Sequence, residues 1–260
     1  MVTPRSVKAL APKIILNAVE GFGKTSTGAY APDPLLLMAR GETGYDTLLS
    51  AGRVPSIPAD LVETWGDVMG WLETLNADPQ GRKTIIFDAM GGFERLCHEY
   101  VCQKDFGGEW GERGFGAYQK GFDLSVTEWL RFLHRMEVLN TKYGMTILIL
   151  GHSRIRPFKN PLGADFDRYV SDCHEKTWNV TARWADAILF GNFLTVVDKE
   201  KQGKGKGVGG TSRMLYTERR DAFEAKNRFG MPFEISLDVD DVSQVWPTII
   251  EAMGVNDATA

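Results

Sequence analysis

Apolar and polar positions along the chain follow two textures. Short, mostly apolar runs recur at 13–17, 35–39, 84–88 and 146–150. Elsewhere apolar residues return every three or four positions. Over 59–76 these are Leu61, Val62, Trp65, Val68, Met69, Leu72 and Leu75, and over 123–143 they are Val126, Trp129, Leu130, Leu133, Met136 and Leu139. The first texture predicts buried strands and the second amphipathic helices. Further helices are expected over 92–104 and, briefly, over 24–30, where Pro32 and Pro34 prevent continuation. Strand and helix alternating in this way predict a mainly parallel sheet with helices on both faces. The last third differs. Runs at 187–197, 213–217, 223–226 and 234–237 have short connections and predict an antiparallel C-terminal extension of the same sheet. A closing helix is expected over 241–253. The whole reads as a tail over 1–12, one α/β domain over 13–254 and a C-terminal tail over 255–260.

Composition narrows the class. A chain of 260 residues with 43% hydrophobic residues can bury a sizeable core. The formal net charge of −4 argues against a surface coated in basic patches, but leaves room for one basic groove. No run has the length of a membrane-spanning helix, and residues 1–13 lack the apolar centre of a signal peptide, so a cytoplasmic protein is expected. Cys97, Cys102 and Cys173 make no disulfide framework. Cys97 and Cys102 share a predicted helix with His98, where packing is favoured over metal binding.

The chemistry is concentrated after the first strand. Ala18, Val19, Glu20, Gly21, Phe22, Gly23, Lys24, Thr25 and Ser26 form a strand-to-helix turn that opens on Lys-Thr. In that context the backbone N–H groups of the turn cradle phosphate oxygens. Gly23 permits close approach, Lys24 reaches the terminal phosphates, and the Thr25 hydroxyl is placed for Mg²⁺. ATP and Mg²⁺ are therefore the expected cofactors. Ala18 stands where the pattern usually has its first glycine. Asp88, closing the run Ile85-Ile86-Phe87, is the second expected metal ligand. Glu42, just past the strand over 35–39, is the candidate for orienting or deprotonating water, with a solvated loop acid as the alternative and Glu20 as a weaker rival. His152, at the end of the strand over 146–150, is either a γ-phosphate sensor or a strand-end cap. Two loops have unusual compositions. Residues 105–121 hold six glycines among Phe106, Trp110, Phe115 and Tyr118, and residues 198–210 alternate Lys with Gly. Both are expected to be flexible.

These residues, together with Lys226-Asn227-Arg228-Phe229-Gly230, resemble the RecA/RadA class of recombination ATPases. More closely, the chain resembles phage-encoded, core-only RecA-like ATPases of the Sak type, an AAA-type ATP-binding family acting in single-strand annealing. The segments that carry this likeness are Gly151-His152-Ser153, the stretches 160–163 and 167–169, Trp184-Ala185-Asp186 and the stretch 209–218. The likeness spans about 13–237. It implies a RecA-like P-loop NTPase core with Lys24, Thr25 and Asp88 as Mg-ATP ligands and His152 as the sensor. It also implies that Lys226 and Arg228 reach the nucleotide of a neighbouring subunit, where a cation stabilises charge on the transferred phosphoryl group. Read from position alone, those two cations are solvated residues of an edge strand. The implied partners are single-stranded DNA, further copies of the chain in a ring or filament, and a single-strand-binding protein. A phage-encoded chain would act in the bacterial host cytoplasm.

The same likeness places DNA contacts in the loops after the acid-bearing and sensor strands. Trp110, Arg113 and Phe115 come from the first, and Arg154, Arg156, Lys159 and Arg168 from the second. Cations would hold the phosphate backbone and aromatic faces would stack on bases. The leading expectation is an ATP-dependent single-stranded DNA-binding recombination protein. The alternatives are an ATP-binding assembly module with negligible turnover and a small-molecule phosphotransferase.

Overall fold

The computed structural model describes residues 11–198, 206–237 and 241–255. In chain order the first half holds β1 (Lys13–Ala18), α1 (Lys24–Ala29), β2 (Pro34–Ala39), α2 (Gly44–Ser50), β3 (Ala59–Val62), α3 (Trp65–Ala77), β4 (Thr84–Asp88), α4 (Met90–Phe106) and α5 (Lys120–Tyr143). The second half holds β5 (Thr146–Phe158), β6 (Phe166–Ser171), α6 (Glu175–Trp184), β7 (Ala187–Asp198), β8 (Lys206–Tyr216), β9 (Lys226–Asn227), β10 (Glu234–Ser236) and α7 (Val245–Met253).

The sheet runs β3-β2-β4-β5-β1-β7-β8-β10. The six strands from β3 to β7 are parallel, and β8 and β10 add antiparallel at one side. Every residue of β1 is buried, because β5 and β7 flank it and helices cover both faces. The alternation of side chains divides the core. Ile15, Leu37, Phe87 and Ile149 face Trp65, Phe93, Trp129 and Phe132 from α3, α4 and α5. Leu16, Leu36, Ile86 and Leu148 face the other layer, where Tyr45 of α2 and Trp246 and Ile249 of α7 pack. This is the α/β P-loop core with its antiparallel extension expected from the pattern.

Several local expectations are corrected. The apolar series over 59–76 is not one helix. Ala59–Val62 instead pairs with β2 as the edge strand β3. Thr64 then starts α3 through a capping box. Its hydroxyl accepts from Asp67 N (3.2 Å), and the Asp67 carboxylate accepts from Thr64 N (2.8 Å). Both orphan donors are thereby satisfied, so the chain breaks where the apolar spacing alone continues. Thr64→Ala is expected to cost about 1 kcal/mol, measured as a lower urea midpoint at constant slope. Helix α2 lay in a stretch without an expected element. The stretch over 153–178 is no open loop: β5 runs on to Phe158 and pairs antiparallel with β6 as a projecting hairpin, followed by α6. The strand expected over 223–226 shrinks to Lys226–Asn227, and the closing helix begins at Val245 after a 3-10 turn, Val242–Gln244.

The glycine-rich stretch over 105–121 is folded rather than loose. Phe115 N donates to Glu109 O (2.8 Å) and Gly121 N to Phe115 O (2.9 Å), which coils the segment on itself. Phe115 is 1% exposed and packs with Val101, Cys102, Phe106 and Phe122. Glycine at 121 is required there, since a Cβ would lie 2.3 Å from the Phe115 ring. Cys97, Cys102 and Cys173 are free and buried, and among the described residues no group of three or more His, Cys, Asp or Glu could hold a metal ion. Among the described residues no helix is long and apolar enough to cross a membrane. Three expectations lie outside the described residues: the tail before Ala11, Lys199, Lys201 and Lys204 of the Lys-Gly loop, and the tail after Val255.

Candidate active site

β1 ends at Ala18 and α1 opens at Lys24, so the intervening turn lies at the C-terminal edge of the parallel strands. This is the position at which open α/β sheets bind ligands. The turn is anchored rather than loose. Val19 N donates to Gly191 O of β7 (3.2 Å), and Phe22 is buried with its ring edge-on to Phe193. Gly191 has to be glycine because a Cβ would strike the Phe22 ring. Gly23 has φ +100°, a conformation open to glycine and strained for other residues. Glu20 is exposed at the tip. Ser26 is buried in α1.

Lys24 is buried, and its Nζ donates to Ala18 O (3.1 Å) and Val19 O (3.3 Å). Burial lowers its pKa, opposed by Asp88, Glu42, Asp172 and Glu20. A cation held this way gains most from an anion arriving beside it. Thr25 Oγ1 donates to Asp88 Oδ2 at 2.6 Å. Burial raises the Asp88 pKa, while the Thr25 hydroxyl opposes that shift. A hydroxyl and a carboxylate in contact form a hard oxygen pair suited to Mg²⁺, which takes few protein ligands and completes its shell with water and phosphate oxygens. These two residues would hold the ion, and the chemistry it supplies is neutralisation of phosphate charge.

Strand order brings the other polar groups together. β5 lies between β1 and β4, with Ala18 opposite His152. Glu42, from the turn after β2, approaches His152 Nε2 at 3.9 Å. That carboxylate raises the imidazole pKa, with burial and Lys24 opposing it. Asp172, just past β6, was not singled out from the sequence. Its N–H donates to His152 O (3.1 Å), and burial raises its carboxyl pKa against the pull of His152, Arg154 and Lys24. Nothing in its sequence context marks it; only the hairpin pairing returns it to His152.

Lys226 and Arg228 lie elsewhere. β9 pairs with Ala187 and Ile188, at the start of β7, whereas the phosphate turn bonds Gly191 further along that strand. Within one chain β9 thus joins β7 three residues before the point where the turn bonds it. Lys226 Nζ donates to the carbonyls of Ala182, Arg183 and Ala185, closing the end of α6, and Arg228 pairs with Asp186 at 2.9 Å.

The residues expected to touch DNA divide. Arg154, Arg156 and Lys159 are exposed on the β5–β6 hairpin, and Arg113 is exposed in the glycine-rich segment. Trp110 is half exposed, with its ring on Phe115. Two expectations fail. Phe115 is a core residue of its segment. Arg168 is 5% exposed, donates to Phe223 O (3.3 Å), pairs with Glu224 (3.7 Å) and stacks over Phe158, so it braces the hairpin base.

No curated protein matches the chain. A family model described as an AAA domain matches residues 10–229, a span that begins before β1 and ends after β9. A phosphate turn with its lysine, a threonine–aspartate pair and a match over most of the chain agree, and the protein belongs to the AAA-type family of P-loop ATPases.

Proposed function

We propose that this ATPase is Mg²⁺-dependent, binds single-stranded DNA, and promotes annealing or strand pairing as a self-assembling ring or filament in phage recombination. The observation carrying this reading is the continuity of β5. His152 is its last residue paired with β1 beside the phosphate turn, and Ser153 is the first paired with β6 in the basic hairpin. Charge arriving at the turn therefore acts one residue from the root of the projecting arm. A strand paired along its length, first with β1 and then with β6, transmits that bias to Arg154 and Arg156 and to Lys159 just beyond it.

In hydrolysis, water attacks the γ-phosphorus and the bond to the β–γ bridging oxygen breaks, leaving ADP. Glu42, with His152 3.9 Å from it, would orient the water and take its proton. Lys226 and Arg228, remote from their own turn, would serve the turn of a neighbouring copy once their carbonyl and carboxylate contacts are exchanged for phosphate.

The test is ATP hydrolysis with and without single-stranded DNA. Strong stimulation supports the proposal. Tight ATP binding without turnover points to an assembly module, and phosphate appearing on a nucleoside or sugar points to a phosphotransferase. The double variant Arg156→Ala with Lys159→Ala is expected to weaken DNA binding uniformly across sequences. The slope of log affinity against log salt should become shallower by about 1.4, at ~0.7 per phosphate contact on a single strand. An unchanged slope would remove the hairpin from the DNA interface.

A further inference from the structure

Arg213 lies on β8, opposite Phe193 of β7. Its side chain crosses to the phosphate turn, where Nη1 donates to Phe22 O at 3.4 Å and lies 3.2 Å from the place a Cβ on Gly23 would take. The residue is half-buried. A guanidinium carries five donors, and this contact is the one hydrogen bond it makes among the described residues. Among the described residues no carboxylate stands within ion-pair distance of it. Among the described residues a half-buried cation with unused donors thus stands against backbone that faces phosphate, a setting that suits an anion.

We propose that Arg213 binds a phosphate of the nucleotide held by its own chain, on the ADP portion. This rests on the reading of residues 18–25 as the phosphate turn. The side from which the residue approaches decides which phosphates it meets. Thr25, Asp88, Glu42 and His152 belong to α1, β4, the turn after β2, and β5, all on the β5 side of β1 or on the helix that follows it. Arg213 comes from the β7–β8 side, bonds Phe22 and lies beside Gly23, before Lys24 in the chain. The groups around the terminal phosphate thus stand on one flank, and Arg213 on the other. Arg213 is therefore a binding residue shared by ATP and ADP, distinct from the cations Lys226 and Arg228 beside the start of β7. It also places the antiparallel extension, otherwise remote from the chemistry, in direct contact with the nucleotide.

The experiment is calorimetric titration of the full-length protein with ADP and with a non-hydrolysable ATP analogue, using R213Q, R213K and Lys24→Ala. Glutamine can still donate to Phe22 O but carries no charge, whereas lysine keeps the charge. R213Q is expected to weaken both nucleotides by the same factor, about 10- to 100-fold, as for loss of a charge-assisted hydrogen bond. R213K should bind both more tightly than R213Q, and R213Q should melt with the unsubstituted protein in nucleotide-free buffer. Wild-type affinity in R213Q overturns the inference, as does equal weakening in R213Q and R213K, which would make Arg213 a tether of the turn. Weakening of the ATP analogue alone overturns the assignment to the ADP portion. Lys24→Ala separates the two levels: if it binds ADP normally, the phosphate turn itself is misassigned, whereas its loss alongside normal binding by R213Q removes only Arg213.

Discussion

Replacing Lys24 with alanine is expected to remove most of the rise in melting temperature caused by ATP, while leaving the nucleotide-free melting temperature unchanged or higher. The two halves of this result have one cause. Lys24 is buried against the carbonyls of Ala18 and Val19, and burial depresses its pKa, so the charge is held at a cost to the folded chain. Removing it does not weaken the core, which lies under β1 and α1 and is built from Leu16, Ile86 and Leu148. ATP, however, would lose the buried cation of the turn. A ligand at about 100 times its Kd stabilises by about 2.7 kcal/mol, and a 100-fold loss of affinity reduces that to about 0.4 kcal/mol. Differential scanning fluorimetry at fixed ATP reads the difference directly. A variant that keeps the full ATP-induced shift would show that the terminal phosphates are held elsewhere.

Asp88→Asn is expected to lower ATP turnover by about 10²- to 10³-fold, with ATP binding much less affected. Asparagine is nearly isosteric and can still accept the Thr25 hydroxyl, a 2.6 Å bond in the native site. What it lacks is the negative charge that would let this oxygen pair hold a divalent cation. Burial raises the Asp88 pKa, so neutralising the residue leaves the fold as stable or more so. Loss of turnover then cannot be ascribed to unfolding. The measurement is steady-state phosphate release at saturating ATP across a Mg²⁺ titration. The native protein should respond to the metal, whereas the variant should need far more of it. Native turnover in the variant would remove Asp88 from the metal site.

The two variants also separate binding from chemistry, because the structure places their targets differently. Lys24 belongs to the turn itself, at the start of α1. Asp88 reaches the turn only because β4 runs parallel to β1 with β5 between them. The order of strands is thus as much a part of the site as the residues that line it.

What the sequence by itself determined was local. Four buried strands, the long helices, and the turn from Ala18 to Thr25 could be read because apolar spacing and turn chemistry act between near neighbours in the chain. Tertiary structure decided what depends on distant pairing. It brought Asp172 to His152 by folding β6 back on β5, and carried Arg213 across β7 to Gly23. It also buried Phe115, which composition places in a flexible loop, and Arg168, which the family resemblance places in a DNA-contacting loop. Burial of an aromatic or pairing of a guanidinium depends on partners far along the chain, such as Phe223 and Glu224 for Arg168. Residue type and spacing carry no record of those partners until the sheet has assembled.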